Sequence, residues 1–313
     1  MHHRNRWTWA LAAVLCMVLL SGVAGCSKES KKESHFKKGE AYLAENKFRE
    51  AVIEFKNVLQ IDPNDAKAQH KLGMAQLGAG DPREAYAAFS KAVELDPNSL
   101  ESRLQLGRLF LMAREPEKAR EQARFVLEKE PGNAQGHQLM SMIHLGDRKL
   151  PEAIAEAAKA VEADPKKAET HLHLAGLYIL NRDLPRAEES FKAAVAAEPG
   201  SVQARLALAG FYARTGKPRE AEEAYLETTK TAGKEPAAWI ALGNFYISQR
   251  RLEDAEKQFI QAAEAAPKKA AALIYLGDFY MAWNKRDKAL ETYKNAADSE
   301  PDNIAPQVKL AEY

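Results

Sequence analysis

Beyond residue 26 this chain of 313 residues has no cysteine; the two it contains are Cys16 and Cys26. No disulfide can staple the body, so packing alone must hold it. No charge of one sign prevails either, with 45 Lys and Arg against 44 Asp and Glu. Removing the first 25 residues takes away Arg4 and Arg6 and no acid. Nucleic-acid affinity comes largely from neutralised phosphates, so this balance argues against a nucleic-acid partner. There is no Gly-rich phosphate loop, no G-x-S-x-G and no Cys–His pairing in the body. Carboxylates abound, but most fall on the polar faces of helical stretches. The expectation is a protein that is not an enzyme and has no cofactor, no metal and no small-molecule substrate.

What the sequence does have begins at its N-terminus. Residues 2–6 are basic or polar, and 7–24 are apolar or small, with Leu11, Val14, Leu15, Val18, Leu19 and Leu20 at the centre. This reads as a secretory signal over residues 1–25. It ends Val23-Ala24-Gly25-Cys26, which resembles the lipobox of bacterial lipoproteins. The resemblance implies that the Cys26 thiol accepts a diacylglycerol and that cleavage leaves Cys26 as the first residue. An uncleaved spanning helix is the alternative, since the apolar run nears the ~20 residues needed. A polar stretch follows Cys26 at once, which favours the lipobox. Residue 27 is Ser and not Asp, which in that family implies the outer membrane, on its periplasmic face, over the inner-membrane anchor. Residues 26–34 are then the lipidated Cys and a solvated polar tether. The chain would meet the membrane through its N-terminal lipid.

The prolines give away a period. Pro63, Pro97, Pro131, Pro165 and Pro199 are 34 apart, position 233 is Gly, and Pro267 and Pro301 resume the count. Ala51, Ala85, Ala119, Ala153, Ala187, Ala221, Ala255 and Ala289 form an invariant column. A small column runs Gly39, Gly73, Gly107, Ser141, Ala175, Ala209, Gly243 and Gly277. Two aromatic-rich columns run from Tyr42 to Tyr280 and from Phe55 to Tyr293. Each period predicts two helices, such as 66–79 and 82–95. Small residues mark their close approach, and aromatics fill the space beside it. Pro ends the second helix and, at Pro82, Pro116 and Pro218, starts it. One helix pair cannot bury its apolar faces alone, so neighbours must stack.

This pattern resembles the tetratricopeptide (TPR) repeat. It covers 32–303 as eight repeats: 32–65, 66–99, 100–133, 134–167, 168–201, 202–235, 236–269 and 270–303. The resemblance implies an all-α fold, a right-handed TPR superhelix of helix–turn–helix units. The fourth repeat has Ser141, His144 and Ala157 where Gly, Tyr and Phe are usual, and the sixth ends in Gly233, so looser packing or a bend is expected near each. Residues 304–313 start a ninth repeat or form a minimal cap. Ten residues carrying Val308 and Leu310 cap poorly, which favours a chain that is a piece of a longer protein.

In the TPR family, ligands lie in the concave groove, at the second, fifth, ninth, twelfth and thirteenth positions of each repeat. Carried over, the fifth position gives Phe36, His70, Leu104, Gln138, Leu172, Leu206, Ile240 and Ile274. The ninth adds Met74, Arg108, Met142, Asn244 and Asp278, and the thirteenth Met112. The chaperone-binding subclass grips a C-terminal carboxylate with a fifth-position Lys and a ninth-position Asn. No such Lys exists here, and Asn244 alone matches, so that subclass is not expected. A mostly apolar column flanked by methionines suits an amphipathic helix or an apolar peptide of another protein. Packing between neighbouring first helices is the bland alternative.

Histidines raise a metal question, because His137 and His171 share the fourth repeat position and His173 is close by. No carboxylate or Cys joins them at ligand spacing, so no metal site is expected. The layout of lipobox, polar tether and TPR opening is most similar to TPR lipoproteins of exosortase (PEP-CTERM) exopolysaccharide loci. That resemblance implies a scaffold for an export system. The pilot lipoproteins of pilus secretins, the recruiting arm of a longer enzyme, and a spacer without ligand are the competing readings.

Overall fold

The computed structural model describes residues 28–313. The signal segment and Cys26 lie outside the described residues. Among those described, every regular element is a helix. They divide into two compact units, one ending at Lys149 and one spanning Leu150–Tyr313. The first holds α1 (28–44), α2 (Phe48–Ile61), α3 (Ala66–Gly78), α4 (Pro82–Leu95), α5 (Leu100–Met112), α6 (Pro116–Lys129) and α7 (Ala134–Gly146). The second holds α8 (Leu150–Ala163), α9 (Ala168–Leu180), α10 (Leu184–Ala197), α11 (Val202–Arg214) and α12 (Pro218–Thr231). It continues with α13 (Pro236–Ser248), α14 (Leu252–Ala265), α15 (Lys269–Ala282), α16 (Arg286–Ser299) and α17 (Ile304–Glu312). The division falls inside the fourth repeat, the one with Ser141 and Ala157 in its small and aromatic columns.

Local chemistry starts each first helix. Asp65, Ser99, Asn133 and Ser201 accept the N–H of the residue three further on, at 2.9, 3.4, 2.9 and 3.2 Å. Such caps are worth ~1 kcal/mol each. Where the cap residue is Lys167 or Lys268, a carboxylate thirty residues on takes over. Glu198 accepts from the Ala168 amide at 2.9 Å, and Glu300 from the Ala270 amide at 3.0 Å.

One turn recurs between first and second helices. The fifteenth residue of every repeat is left-handed: Asn46, Arg114, Arg148, Arg182, Arg250 and Asn284 at φ 57–63°, with Gly80 and Gly216 at 85° and 74°. The next amide then reaches back five residues, as Lys47 N–H to Tyr42 O at 2.8 Å and Arg251 N–H to Tyr246 O at 2.9 Å. This is a Schellman closure, which satisfies a carbonyl that the helix end would orphan.

The invariant alanines are fully buried. The small column is set by the ring opposite it. A Cβ on Gly39 would stand 2.8 Å from the Phe55 ring, one on Gly73 2.7 Å from Phe89, and one on Gly243 2.7 Å from Phe259. Burying each such ring contributes ~2–3 kcal/mol.

Within the second unit, successive repeats are also stitched by polar rungs. Tyr212 donates to Glu188 at 3.2 Å, Tyr246 to Glu222 at 2.9 Å and Tyr280 to Glu256 at 2.7 Å. Lys217, Arg251 and Lys288 complete the rungs at 2.6, 2.9 and 2.6 Å. The hydrogen bonds from Lys192 and Lys217 hold the Glu188 carboxyl down at about 2. Burial, then the bond to Glu222, pushes the Tyr246 phenol up to about 12.

One expectation changes. Residues 28–34 are not a free tether, because they form the first turns of α1. Glu33 and Lys37 pair at i,i+4, and Lys32 reaches Glu29, Asp62 and Asp65 at 3.1, 3.2 and 3.6 Å. Those contacts tie the stretch to the end of the first repeat. The sixth repeat, despite Gly233, keeps a second helix of 14 residues. Thr228, Thr229 and Thr231 donate back to the carbonyls of Ala224, Leu226 and Glu227 and hold its last turn.

Candidate binding groove

The residues expected to line a groove have several fates. Leu104 and Gln138 are 2% and 8% exposed, so both are corrected to mainly interior positions, with Leu104 reaching the wall of a cleft beside Ser99 and Glu101. Leu104 shares a core cluster with Ala123, Leu139 and Ile143. The third repeat has Ala123 where most repeats have a ring, and Leu139 stands against Gly107 in its place. Gln138 lies in the other repeat with alanine in that column, Ala157.

Phe36 and His70 are half-buried and engaged. Phe36 meets Phe55 edge-on with centroids 5.6 Å apart. The His70 Nδ1 lies 2.9 Å from the Ser102 hydroxyl, its ring lies against Phe89, and burial pushes its pKa down. Leu172, Leu206 and Ile240 are half-buried against the main core cluster of the second unit, and Ile274 is half-buried. Met74 and Met142 are exposed, Arg108 is half-buried and Asn244 is exposed. Asp278 is taken: it accepts from the Tyr293 hydroxyl at 2.7 Å and pairs with Lys309 of α17 at 3.1 Å.

Met112, at 69% exposed, lines a cleft of about 490 Å³ with Tyr86, Leu109, Phe110 and Lys118. No fifth- or ninth-position side chain reaches that cleft, so Met112 does not share a site with the expected groove residues. A cleft that gathers every ligand position of one repeat opens in the second unit. Gln203, Leu206, Gly210, Ala213 and Arg214, all five ligand positions of the sixth repeat, line one cleft of about 850 Å³. Tyr225 of α12 joins them, with Glu235 and Ala237 at the start of α13. The cleft opens at Gly210, where a Cβ would meet only the Tyr225 hydroxyl, 3.7 Å away. Its volume falls in the range of ~300–1,000 Å³ usual for ligand sites.

The histidines have a different explanation from metal binding. His137 and His171 each place Nε2 on a proline carbonyl six residues back, Pro131 at 2.8 Å and Pro165 at 2.9 Å. Arg103 and Arg205 do the same to Pro97 and Pro199, Trp239 to Gly233 and Gln307 to Pro301. Different side chains thus supply one N–H donor to the carbonyl left bare between repeats. The sequence signal is a donor-bearing residue six places after the proline column. Among the described residues, no three His, Cys, Asp or Glu side chains gather where they could hold a metal. Nor, among them, is any helix long and apolar enough to cross a membrane.

A family model described as Tetratricopeptide repeat matches residues 76–143 and 181–244, and another of the same description matches 139–202 and 240–304. A model described as TPR repeat matches 39–80. No curated protein matches the chain. Among solved structures, yeast Tom70 is similar over 90% of this chain and 63% of its own, at TM-score 0.67 and 16% identity. A tetratricopeptide repeat protein from Parabacteroides merdae is similar over 80% of this chain and 99% of its own, at 0.55 and 17%. A thermophilic TPR protein of Thermus thermophilus is similar over 58% and 99%, at 0.51 and 23%. At these identities the likeness speaks for the fold alone. With the 34-residue hairpins, the left-handed turn at each fifteenth position and family matches that together run from 39 to 304, the chain belongs to the tetratricopeptide repeat proteins.

Proposed function

We propose that this chain is a non-catalytic scaffold of the bacterial envelope that holds a peptide or helix of another protein in its groove. The observation that carries the reading is the sixth-repeat cleft, where all five ligand positions of one repeat converge on an open, mostly apolar space. Apolar floors with few polar groups suit a peptide that loses its own water on docking. The anchoring half rests on the N-terminal sequence. A basic start, an apolar stretch and Val23-Ala24-Gly25-Cys26 support a lipid on Cys26. Several buried acyl chains, at ~0.8 kcal/mol per CH₂, hold firmly. Ser27 supports the outer membrane, and the layout supports a partner in an export or secretion assembly, with exopolysaccharide export as the leading case.

One experiment addresses both halves. A photo-crosslinking residue replaces Ala207 in the full chain in cells, with the same residue at the exposed Glu121 as control, each also combined with Cys26→Ala. The expected result is a discrete adduct from position 207 alone, with the Cys26→Ala protein released to the soluble fraction. The same smear from both positions would sink the groove reading. A Cys26→Ala protein that stays with membranes after a salt wash would sink the lipid anchor.

A further inference from the structure

The sixth-repeat cleft carries two hydrogen-bond donors that the protein does not use. Tyr225 is 9% exposed and lines the cleft, and among the described residues nothing hydrogen-bonds to its hydroxyl. The hydroxyl opens to the cleft, so a group seated there meets a donor that the protein leaves free. Arg214 stands at the same cleft, exposed, with no ion-pair partner among the described residues. It is near enough that its charge opposes the upward push that burial gives the Tyr225 phenol.

The eighth repeat shows what is missing. Tyr293 occupies there the repeat position that Tyr225 occupies in the sixth. Its hydroxyl donates to Asp278 at 2.7 Å, and Lys309 pairs with the same carboxylate at 3.1 Å. Hydroxyl, carboxylate and cation form a closed set. In the sixth repeat the hydroxyl is present and Arg214 of α11 offers a cation from a different position than Lys309, but the residue matching Asp278 is Gly210, whose Cβ would stand 3.7 Å from that hydroxyl. The rest of the lining is mainly apolar, from Leu206, Ala207 and Ala213, with Gln203 and Glu235 at its polar margin.

We propose that this cleft takes a side-chain carboxylate, Asp or Glu, from an otherwise apolar peptide of the partner, with the Tyr225 hydroxyl and the Arg214 guanidinium both donating to it. The inference rests on the scaffold reading above and specifies the chemistry that its groove selects. The ligand carboxylate takes the place that Asp278 fills within the eighth repeat. Charge-assisted hydrogen bonds of this kind are the strong ones, so the acid and not the apolar floor sets the preference.

The test uses the full chain, immobilised, and two pools of N-acetylated, C-amidated heptapeptides of Ala, Val and Leu. One pool has Glu at its centre and the other Gln. The expected result is capture of the Glu pool over the Gln pool by about tenfold. Arg214→Gln and Tyr225→Phe should each remove most of that preference, while the melting temperature holds, since neither group has an internal partner. Gly210→Asp gives the Tyr225 hydroxyl and Arg214 a carboxylate of the protein's own, so capture should fall to background and the melting temperature should rise. Equal capture of both pools, blocked by Gly210→Asp, would overturn the acid preference and leave the groove reading standing. A Glu preference that survives Arg214→Gln and Tyr225→Phe would overturn the assignment to this cleft. Capture of neither pool would overturn both.

Discussion

The two units treat the eleventh position of the repeat differently. In the second, Tyr212, Tyr246 and Tyr280 each donate to a glutamate of the preceding repeat, and a cation closes the rung. In the first, the same position holds Tyr42, Gln76, Phe110 and His144. Val52, Tyr86 and Arg120 stand where the partners of the last three would be. Phe110 meets Tyr86 edge-on at 5.7 Å, a self-consistent apolar solution. Gln76 and His144 are not so served. The Gln76 Oε1 and the His144 Nδ1 are the two buried side-chain atoms without a hydrogen-bond partner among the described residues. Arg120, which could have faced His144, instead pairs with Asp147 at 2.6 Å. One backbone thus accepts a polar joint or an apolar one, and the cost falls where the two residues of a joint do not match.

Acid should separate the units most. Glu188 is held at about 2, below its ordinary 4.5. Glu256 is also lowered: burial opposes the shift, and the bonds from Lys288 and Tyr280 outweigh it. A lowered carboxyl stabilises fully above its unfolded value and loses that contribution as pH falls through the folded one. Hydrogen exchange should therefore show α10 and α14 loosening between pH 4.5 and 2 before α3 to α6 do. Simultaneous loosening would break the comparison.

A single rung comes next. Glu222→Ala leaves the Tyr246 hydroxyl buried and unpaired, at an expected cost of ~2 kcal/mol in urea unfolding. No loss would mean that the rung contributes nothing beyond its neighbours. The smallest effect is a repair in the first unit. Gln76→Leu removes the orphaned oxygen and should stabilise by ~1 kcal/mol. Destabilisation would show that the oxygen has a partner, such as bound water.

Much of the fold was legible because its columns repeat in identity. Alanine at position 51 and its equivalents, glycine opposite a ring, and proline at each boundary are read directly from spacing. What identity could not show was chemistry shared by unlike residues. Arg103, His137, Trp239 and Gln307 look unrelated until their common N–H and its proline or glycine carbonyl are seen. Coupled positions were equally opaque. Leu104 belongs to the groove by repeat position, yet it packs in one cluster with Ala123 and Leu139. The start of α1 is not legible from local sequence because Lys32 pairs with Asp62, thirty residues away. For the candidate site, the resemblance supplies the five ligand positions as a pattern, but not the repeat in which all five line one cleft. That depended on Gly210 and on the unshared hydroxyl of Tyr225.

The left-handed residue at every fifteenth position also bears on how such a chain could change length over time. Each turn closes on its own backbone, whether the residue is Gly, Asn or Arg. A duplication or deletion of 34 codons by unequal crossing-over would therefore splice one closed turn to another, with no new turn to invent. The array can gain or lose links while each joint stays as it was, and only the side chains facing the new neighbours have to be retuned by later mutation.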